Sequence, residues 1–167
     1  MKELLILATG GTIDSEWDAT RDTAVPMEKS FIKEYIEKYI RPNYKITTKV
    51  VTMRDSREID NSVRQTLLGD IKSATADHIL IPHGTYTMAE TARFICEHLG
   101  KTDKRIMFTG SFYPIVGFSL TDATFNLGYA IASLEHLDGG VYVAMNGRVF
   151  DPNSVTKDVQ NGLFTTK

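Results

Sequence analysis

Short apolar runs alternate with helix-like patterns along the chain, and this alternation limits the fold more than any other feature. Residues 4–8, 78–81 and 141–144 are three such runs, each short and rich in Leu, Ile or Val. Apolar runs of this length, bounded by Gly, Pro or polar residues, are typical of buried strands. Because helical patterns lie between them, the sequence is predicted to form an α/β protein. We expect a three-layer sandwich with a mainly parallel sheet.

The same patterns place the individual elements. Strands are predicted at residues 4–8, 44–53, 78–81, 105–108 and 141–144. Helices are predicted to begin near Ser30, Val63, Thr87 and Phe125, because apolar side chains then recur at helical spacing. Thr87 followed three residues later by Glu90 fits a capping box. Residues 14–29 show no periodicity, so they are predicted to form either a lid over a site or a disordered surface loop.

Composition excludes several classes of protein. The 167 residues suit one domain, and 42% hydrophobic with 24% charged residues is an ordinary globular mixture. A net charge of −2 argues against a nucleic-acid partner held mainly by charge. Cys96 is the single cysteine, which rules out an internal disulfide and a Cys-rich zinc site. With no apparent membrane span or signal peptide, the expected location is cytoplasmic.

Three polar clusters directly follow predicted strands or lie close after them. They are residues 9–12, 55–58 and 83–87, which are far apart in the sequence. In open parallel sheets, ligands bind outside the carboxyl ends of the strands. The fold is therefore predicted to gather these three clusters into one site.

Residues 9–12 read Thr-Gly-Gly-Thr and follow the first strand. Two glycines allow a sharp turn and a close approach to a ligand, and their N–H groups are candidates to bind an anion or oxyanion. The motif fits neither the dinucleotide fingerprint nor the phosphate loop. A threonine here can attack a carbonyl if another group removes its proton. The alternative interpretation is a simple turn.

Other candidates have equally ordinary alternatives. Thr85 is expected just outside a helix N-terminus, where the dipole favours developing negative charge. His83 is either a base or a structural histidine. Lys104 is either a partly buried base or a solvated lysine in a charged cluster, and the sequence alone favours the latter.

Together the motifs resemble the bacterial-type asparaginase/glutaminase family of threonine amidohydrolases. The resemblance rests on residues 8–13 (Ala-Thr-Gly-Gly-Thr-Ile), 83–88 (His-Gly-Thr-Tyr-Thr-Met) and Asp55-Ser56. Weaker matches are Asp103-Lys104, Thr109-Gly110, Phe125-Asn126-Leu127 and Met145-Asn146. The resemblance implies the fold of the family's N-terminal domain. It also implies hydrolysis of the side-chain amide of L-asparagine to L-aspartate and ammonia, without metal or cofactor.

The resemblance also implies roles for individual residues. Thr12 is the expected nucleophile that forms an acyl-enzyme, and Thr85 and Lys104 are the second threonine and the lysine of the catalytic group. Ser56 is expected to hold the substrate α-carboxylate. The remaining expected substrate-binding residues are Gly11, Arg57, Glu58, Gly84 and Tyr86.

The sequence departs from the family pattern in three respects. Tyr86 stands where family members usually carry an Asp that contacts the substrate α-amino group. Residues 14–29 contain Trp17 but no Tyr, whereas the family's flexible loop normally supplies one. The chain is about half the usual length, so we expect a single catalytic domain over residues 1–167, with the usual second domain absent.

These departures leave two alternatives to an asparaginase. One is an amidohydrolase whose substrate lacks a free α-amino group, and the other is a non-catalytic domain that binds an amino acid or related carboxylate. A site without its second domain is open to water, which favours a homodimer or homotetramer. The interface candidates are Phe112, Tyr113, Ile115, Val116 and Phe118, with packing beneath the following helix as the alternative.

Overall fold

The computed structural model describes residues 1–167 and contains ten strands and four α-helices. The strands are β1 (Lys2–Gly10), β2 (Ser15–Asp18), β3 (Thr23–Pro26), β4 (Tyr44–Arg54), β5 (His78–Pro82), β6 (Arg105–Thr109), β7 (Gly140–Met145), β8 (Arg148–Phe150), β9 (Val155–Asp158) and β10 (Leu163–Thr166). The helices are α1 (Ile32–Tyr35), α2 (Asn61–Ser73), α3 (Met88–Leu99) and α4 (Ala123–Leu134). A π-helical segment, Ile36–Ile40, continues α1.

Six strands form the central sheet in the order β4-β1-β5-β6-β7-β8. All neighbouring pairs are parallel except β7 and β8, which are antiparallel. The sheet has a helical layer on each face, so the predicted three-layer α/β architecture is confirmed. The parallel register aligns Pro82 with Thr109 and Thr109 with Ala144, which brings the carboxyl ends of these strands to one edge.

Alternation along the strands divides the core between the two faces of the sheet. Ile79, Ile81 and Phe108 point into a cluster that also holds buried side chains of α2 and α3. Leu80 and Met107 point the other way, into a cluster with α1 and α4. The central strands are buried on both faces, which explains why their sequences are almost continuously apolar.

Residues 14–29 contain a β-hairpin, in which β2 pairs with β3 and Trp17 lies opposite Ala24. Of the two alternatives for these residues, the disordered surface loop was therefore wrong. Strands of four residues with little apolar alternation carry too weak a sequence signal to be recognised. Asp14 fixes the base of this hairpin, because its carboxylate accepts a hydrogen bond from the Phe31 N–H at 2.8 Å.

Contacts correct the expected capping role of Thr87 and bear on the interface candidates. The Thr87 side chain makes no helix-capping hydrogen bond; it donates instead to the Ser56 carbonyl at 2.6 Å, across the site. Of the interface candidates, Ile115 is buried and Val116 packs on the core, whereas Tyr113 is exposed.

None of the helices has the length and the apolar sequence that spanning a membrane requires. No group of three His, Cys, Asp or Glu side chains is arranged to hold a metal.

Candidate active site

The three polar clusters meet at the carboxyl edge of the sheet, as predicted, and glycines allow them to come together. Gly11 has a φ of +78°, and a Cβ atom there would overlap the backbone of Gly84. A Cβ atom on Gly84 would lie 2.7 Å from the Ser56 Oγ. Side chains at these two positions would push the loops apart, so the glycines are needed for close approach.

Hydrogen bonds hold the same loops in register. Thr9 Oγ1 donates to the Pro82 carbonyl at 2.8 Å, which links the ends of β1 and β5. Gly11 N–H donates to the Arg54 carbonyl at 2.9 Å, which links the glycine turn to the end of β4. Because that N–H is already used, Gly11 is not available as an oxyanion donor. The prediction that the Gly11 N–H binds an anion or oxyanion was therefore wrong, and the observed role of Gly11 is in packing.

Lys157 is the lysine that reaches the site. Its Nζ donates a hydrogen bond of 2.7 Å to the Oγ1 of Thr85, whose side chain is otherwise almost fully buried. An ammonium or amine at this distance is placed to exchange a proton with the threonine hydroxyl. A Lys–Thr pair is thus present, but not with the lysine that the sequence suggested.

Lys104 lies at the opposite edge of the sheet. It immediately precedes β6, at the amino end of that strand, and its Nζ donates to the Ala74 carbonyl at 2.7 Å. The expected catalytic role of Lys104 was therefore wrong. The physical reason is strand direction, because a residue before a parallel strand cannot share an edge with residues that follow its neighbours.

The terminal hairpin of β9 and β10 carries Lys157 into the site. Phe164 lies opposite Lys157 in this hairpin and is 2% exposed in the core. Its backbone N–H donates to the Asn146 Oδ1 at 2.9 Å, and the Asn146 N–H donates to the Asn126 Oδ1. Asn126 in turn donates to the Gly110 carbonyl at 2.9 Å. This network explains how the ends of β6 and β7 and helix α4 hold the lysine-bearing hairpin.

Lys157 sits in aromatic and electropositive surroundings. Its Nζ lies 4.0 Å from the centre of the Tyr86 ring and 5.1 Å from that of Phe112. Burial lowers the pKa of Lys157, and the positive charge of Arg57 lowers it further, while Asp55 opposes the shift. A lysine with a lowered pKa spends more time as a neutral amine, which is the form that accepts a proton.

Arg57 is held by a two-point contact with Asp55. Arg57 Nε donates to Oδ1 of Asp55 at 2.9 Å, and Nη2 donates to Oδ2 at 2.8 Å. These charge-assisted bonds lower the pKa of Asp55 below its ordinary value. The Arg57 guanidinium also lies 4.8 Å from the centre of the Tyr86 ring. Tyr86 therefore has two cationic side chains close to its ring.

A cavity of about 360 Å³ opens beside these groups. Its lining includes Thr12, Trp17, Thr23, Ala24, Asp55, Arg57, Tyr86, Phe112, Tyr113, Pro114 and Phe118. The predicted nucleophile Thr12 and the predicted substrate-binding residues Arg57 and Tyr86 thus face one space, together with Asp55. The hairpin of β2 and β3 supplies one side of it, which agrees with the lid interpretation of residues 14–29.

The remaining predicted site residues differ in their surroundings. Ser56 is 2% exposed and its Oγ has no hydrogen-bond partner. An unpaired buried hydroxyl costs on the order of 1–3 kcal/mol, so its persistence here is consistent with a ligand that completes it. Glu58 is exposed and does not line the cavity. The structure thus gives Glu58 no contact with the site.

His83 has a structural environment. Its side chain is fully buried, its Nδ1 is 2.8 Å from the Gly84 carbonyl, and its ring lies edge-on to Phe108. Burial lowers its pKa to about 4, so it is neutral at physiological pH. The structure supports the interpretation of His83 as a structural residue at the end of β5.

Comparison with known proteins agrees with this architecture. A family model described as Asparaginase, N-terminal matches residues 3–164. The chain belongs to the asparaginase family. The resemblance inferred from its Thr-Gly-Gly-Thr and His-Gly-Thr-Tyr-Thr-Met motifs is thereby confirmed.

Individual asparaginase relatives are similar over the whole chain. L-asparaginase 2 of Escherichia coli (strain K12) is 29% identical over 174 residues, covering 100% of this chain and 49% of that protein. The thermostable L-asparaginase from Thermococcus kodakarensis has a TM-score of 0.84 at 25% identity, covering 98% of this chain and 51% of that one. A probable cytoplasmic L-asparaginase from Campylobacter jejuni gives 0.82 at 28% identity, covering 99% and 53%. The chain therefore spans about half the length of these asparaginases.

One signal for the missed lysine was present in the sequence. Asn161-Gly162 separates two short segments that contain Val155 and Phe164, and Asn-Gly between such segments is typical of a β-hairpin turn. Recognising the hairpin would have placed Lys157 in an ordered strand. It would not have shown which side of the asparaginase-type sheet the strand packs against.

Proposed function

We propose that this protein hydrolyses a side-chain amide of the asparagine type through Thr12 as nucleophile. The observation that carries the proposal is the 2.7 Å hydrogen bond between Lys157 Nζ and Thr85 Oγ1 beside the cavity that Thr12 lines. The similarity to proteins named L-asparaginase supports the choice of substrate class. No step in the proposal requires a metal or a redox cofactor.

The proposed reaction has two balanced steps. Thr12 Oγ1 bonds to the amide carbon, the C–N bond breaks, and the hydroxyl proton ends on the leaving nitrogen as ammonia. Water then adds to the threonine ester, releases the carboxylic acid and returns the proton to Thr12. Thr85 and Lys157 are proposed to carry protons in both steps.

Substrate orientation is proposed to come from the loop after β4. The unpaired Ser56 Oγ is a donor that fits a substrate carboxylate, and its chain neighbour Arg57 adds positive charge to the cavity lining. Tyr86 provides a flat apolar surface between these groups and Lys157. Gly11 and Gly84 contribute by letting the loops approach one another.

Ammonia release by purified Thr12→Ala and Thr85→Ala variants tests the mechanism. We expect each to lose activity by a factor of roughly 10² or more, because each removes a group that acts in the reaction. Thr66→Ala is the matched control, since that threonine is exposed on α2 and donates only to the Ser62 carbonyl. Folded variants that keep full activity would contradict the mechanism. Calorimetric binding of asparagine without ammonia release from the native protein would favour a binding domain instead.

Self-association is proposed as well. Trp17 and Tyr113 lie on the cavity wall with about half of each side chain exposed, at 49% and 55%. A second subunit over this opening would shield both the side chains and the reacting groups from water. We propose a homodimer or homotetramer, for which light scattering of the active protein should give a mass at least twice that of one subunit.

The proposed location is cytoplasmic, in keeping with the single free Cys96.

A further inference from the structure

The cavity has an unusual balance of charge for a site that would bind a free amino acid. Asp55 is the one carboxylate among its lining residues. Both oxygens of that carboxylate are bonded to Arg57, at 2.9 and 2.8 Å, and Oδ1 also accepts the Arg57 backbone N–H. An ammonium group entering this cavity would have to compete with a guanidinium that is already in place.

Cationic groups also occupy the surroundings of Tyr86. Lys157 Nζ lies 4.0 Å and Arg57 Cζ 4.8 Å from the centre of that ring. The Tyr86 ring therefore already makes cation–π contacts with two side chains of the protein. A third positive charge would be close to both side chains, and like charges at such distances disfavour each other. A ligand that is neutral at this position avoids the repulsion.

Part of the cavity lining is aromatic. Trp17 packs edge-on against Phe118, with ring centres 6.2 Å apart, and Tyr113 lies 6.3 Å from the same ring. We call Trp17, Tyr113 and Phe118 the aromatic wall. Because Trp17 and Tyr113 are about half exposed, a ligand that covered them would remove apolar surface from water, which favours binding. Such a wall fits a substituent that a free amino acid does not have.

We propose that the substrate is an N-acylated amide of the asparagine type, with a carboxylate, a neutral acylated nitrogen in place of the ammonium, and an acyl group packed on the aromatic wall. This inference rests on the proposed function and specifies its substrate class. In the reaction only the C–N bond of the side-chain amide breaks, and ammonia and the N-acylated acid leave. The acyl–nitrogen bond is untouched.

A panel of four amides tests the inference with the native protein. The panel is asparagine, succinamic acid, N-acetylasparagine and N-benzoylasparagine, with ammonia release measured as kcat/KM. We expect kcat/KM for N-acetylasparagine to exceed that for asparagine at least tenfold, and N-benzoylasparagine to be better still. Succinamic acid, which has neither ammonium nor acyl group, should lie between asparagine and N-acetylasparagine.

Variants of two exposed positions separate charge from packing. Tyr86→Asp introduces a carboxylate beside Lys157 and should shift the selectivity ratio toward asparagine at least tenfold, whereas Tyr86→Phe should keep the native ratio. Trp17→Ala should lower kcat/KM for N-benzoylasparagine more than for succinamic acid. Tyr86 is 57% exposed, so these substitutions leave the core intact. Ratios within one variant do not depend on its overall activity.

The outcomes distinguish the two proposals. Preference of the native protein for asparagine, with ammonia release that Thr12→Ala abolishes, overturns this inference and leaves the proposed function standing. Equal effects of Tyr86→Asp and Tyr86→Phe on the selectivity ratio also overturn it. If no amide in the panel gives Thr12-dependent ammonia, the proposed function fails and the inference falls with it.

Discussion

The two edges of the central sheet contain chemically similar residues in opposite situations. At the amino edge, Lys104 donates to a backbone carbonyl, and Lys2 pairs with Glu135 at 2.5 Å. At the carboxyl edge, Lys157 contacts a threonine hydroxyl and an aromatic ring, and the positive charge of Arg57 helps to lower its pKa. The lysines at the amino edge are bonded to structural partners, whereas Lys157 is bonded to a hydroxyl group with which it can exchange a proton.

Close packing of loops explains part of this difference. At the carboxyl edge, Gly11, Gly84 and Ser56 are packed closely, and the Ser56 Oγ has no hydrogen-bond partner. Charged groups interact more strongly away from bulk water, and the pKa of Lys157 responds to both Arg57 and Asp55. At the amino edge, Gly139 packs as closely against residues 102–103, but the charged groups nearby find partners near the surface.

The largest expected effect contrasts the two lysines. Lys157→Met should lower kcat/KM for ammonia release by roughly 10²–10⁴-fold, because general acid–base groups contribute on that scale. Lys104→Met should leave kcat/KM unchanged and cost about 1 kcal/mol of unfolding free energy through its lost hydrogen bond. Steady-state kinetics and urea unfolding of both variants measure this. Equal losses of activity would remove the distinction between the edges.

The second contrast concerns loop contact. Gly11→Ala should lower the free energy of unfolding by about 4 kcal/mol, since its methyl group would overlap Gly84 and its φ of +78° disfavours a side chain. Gly69→Ala is the control: that helical glycine has open space around it, and alanine there should stabilise by about 0.5–1 kcal/mol. Denaturant unfolding compares the two. A Gly11→Ala protein as stable as the native one would show that the loops are not tightly packed.

The smallest of the three effects is a pH dependence of the free energy of unfolding, caused by the histidines at the two ends of β5. His83, at the carboxyl end, has its pKa lowered to about 4 by burial, while the unfolded chain protonates near 6.5. The unfolded state therefore binds the proton first, so stability is full above pH 6.5 and falls as pH drops toward 4, by about 3 kcal/mol. Burial also lowers the pKa of His78, at the amino end.

The difference between the native protein and His83→Asn isolates the contribution of His83 to the pH dependence of stability. Unfolding free energies measured from pH 7 to pH 4 should fall less steeply for His83→Asn than for the native protein. Parallel curves for the native protein and His83→Asn would show that His83 titrates normally in the folded protein.

Much of the fold was readable from sequence because its central strands are buried on both faces. Continuous apolar runs such as residues 78–81 and 105–108 leave few alternatives to parallel strands between helices. The short hairpins were missed because their strands have four residues each and gain their order from tertiary contacts. The Phe164 N–H, for example, is fixed by Asn146, 18 residues away.

The sequence by itself determined the α/β class, the asparaginase resemblance and the meeting of three polar loops, since strand direction follows from local patterns. Only the tertiary structure decided between Lys104 and Lys157. Whether a lysine can exchange protons in the site depends on its surroundings. Those of Lys157 come from the loops after β4 and β5 and from the terminal hairpin. Burial, neighbouring charge and hydrogen bonding act through space, so no local sequence pattern encodes them.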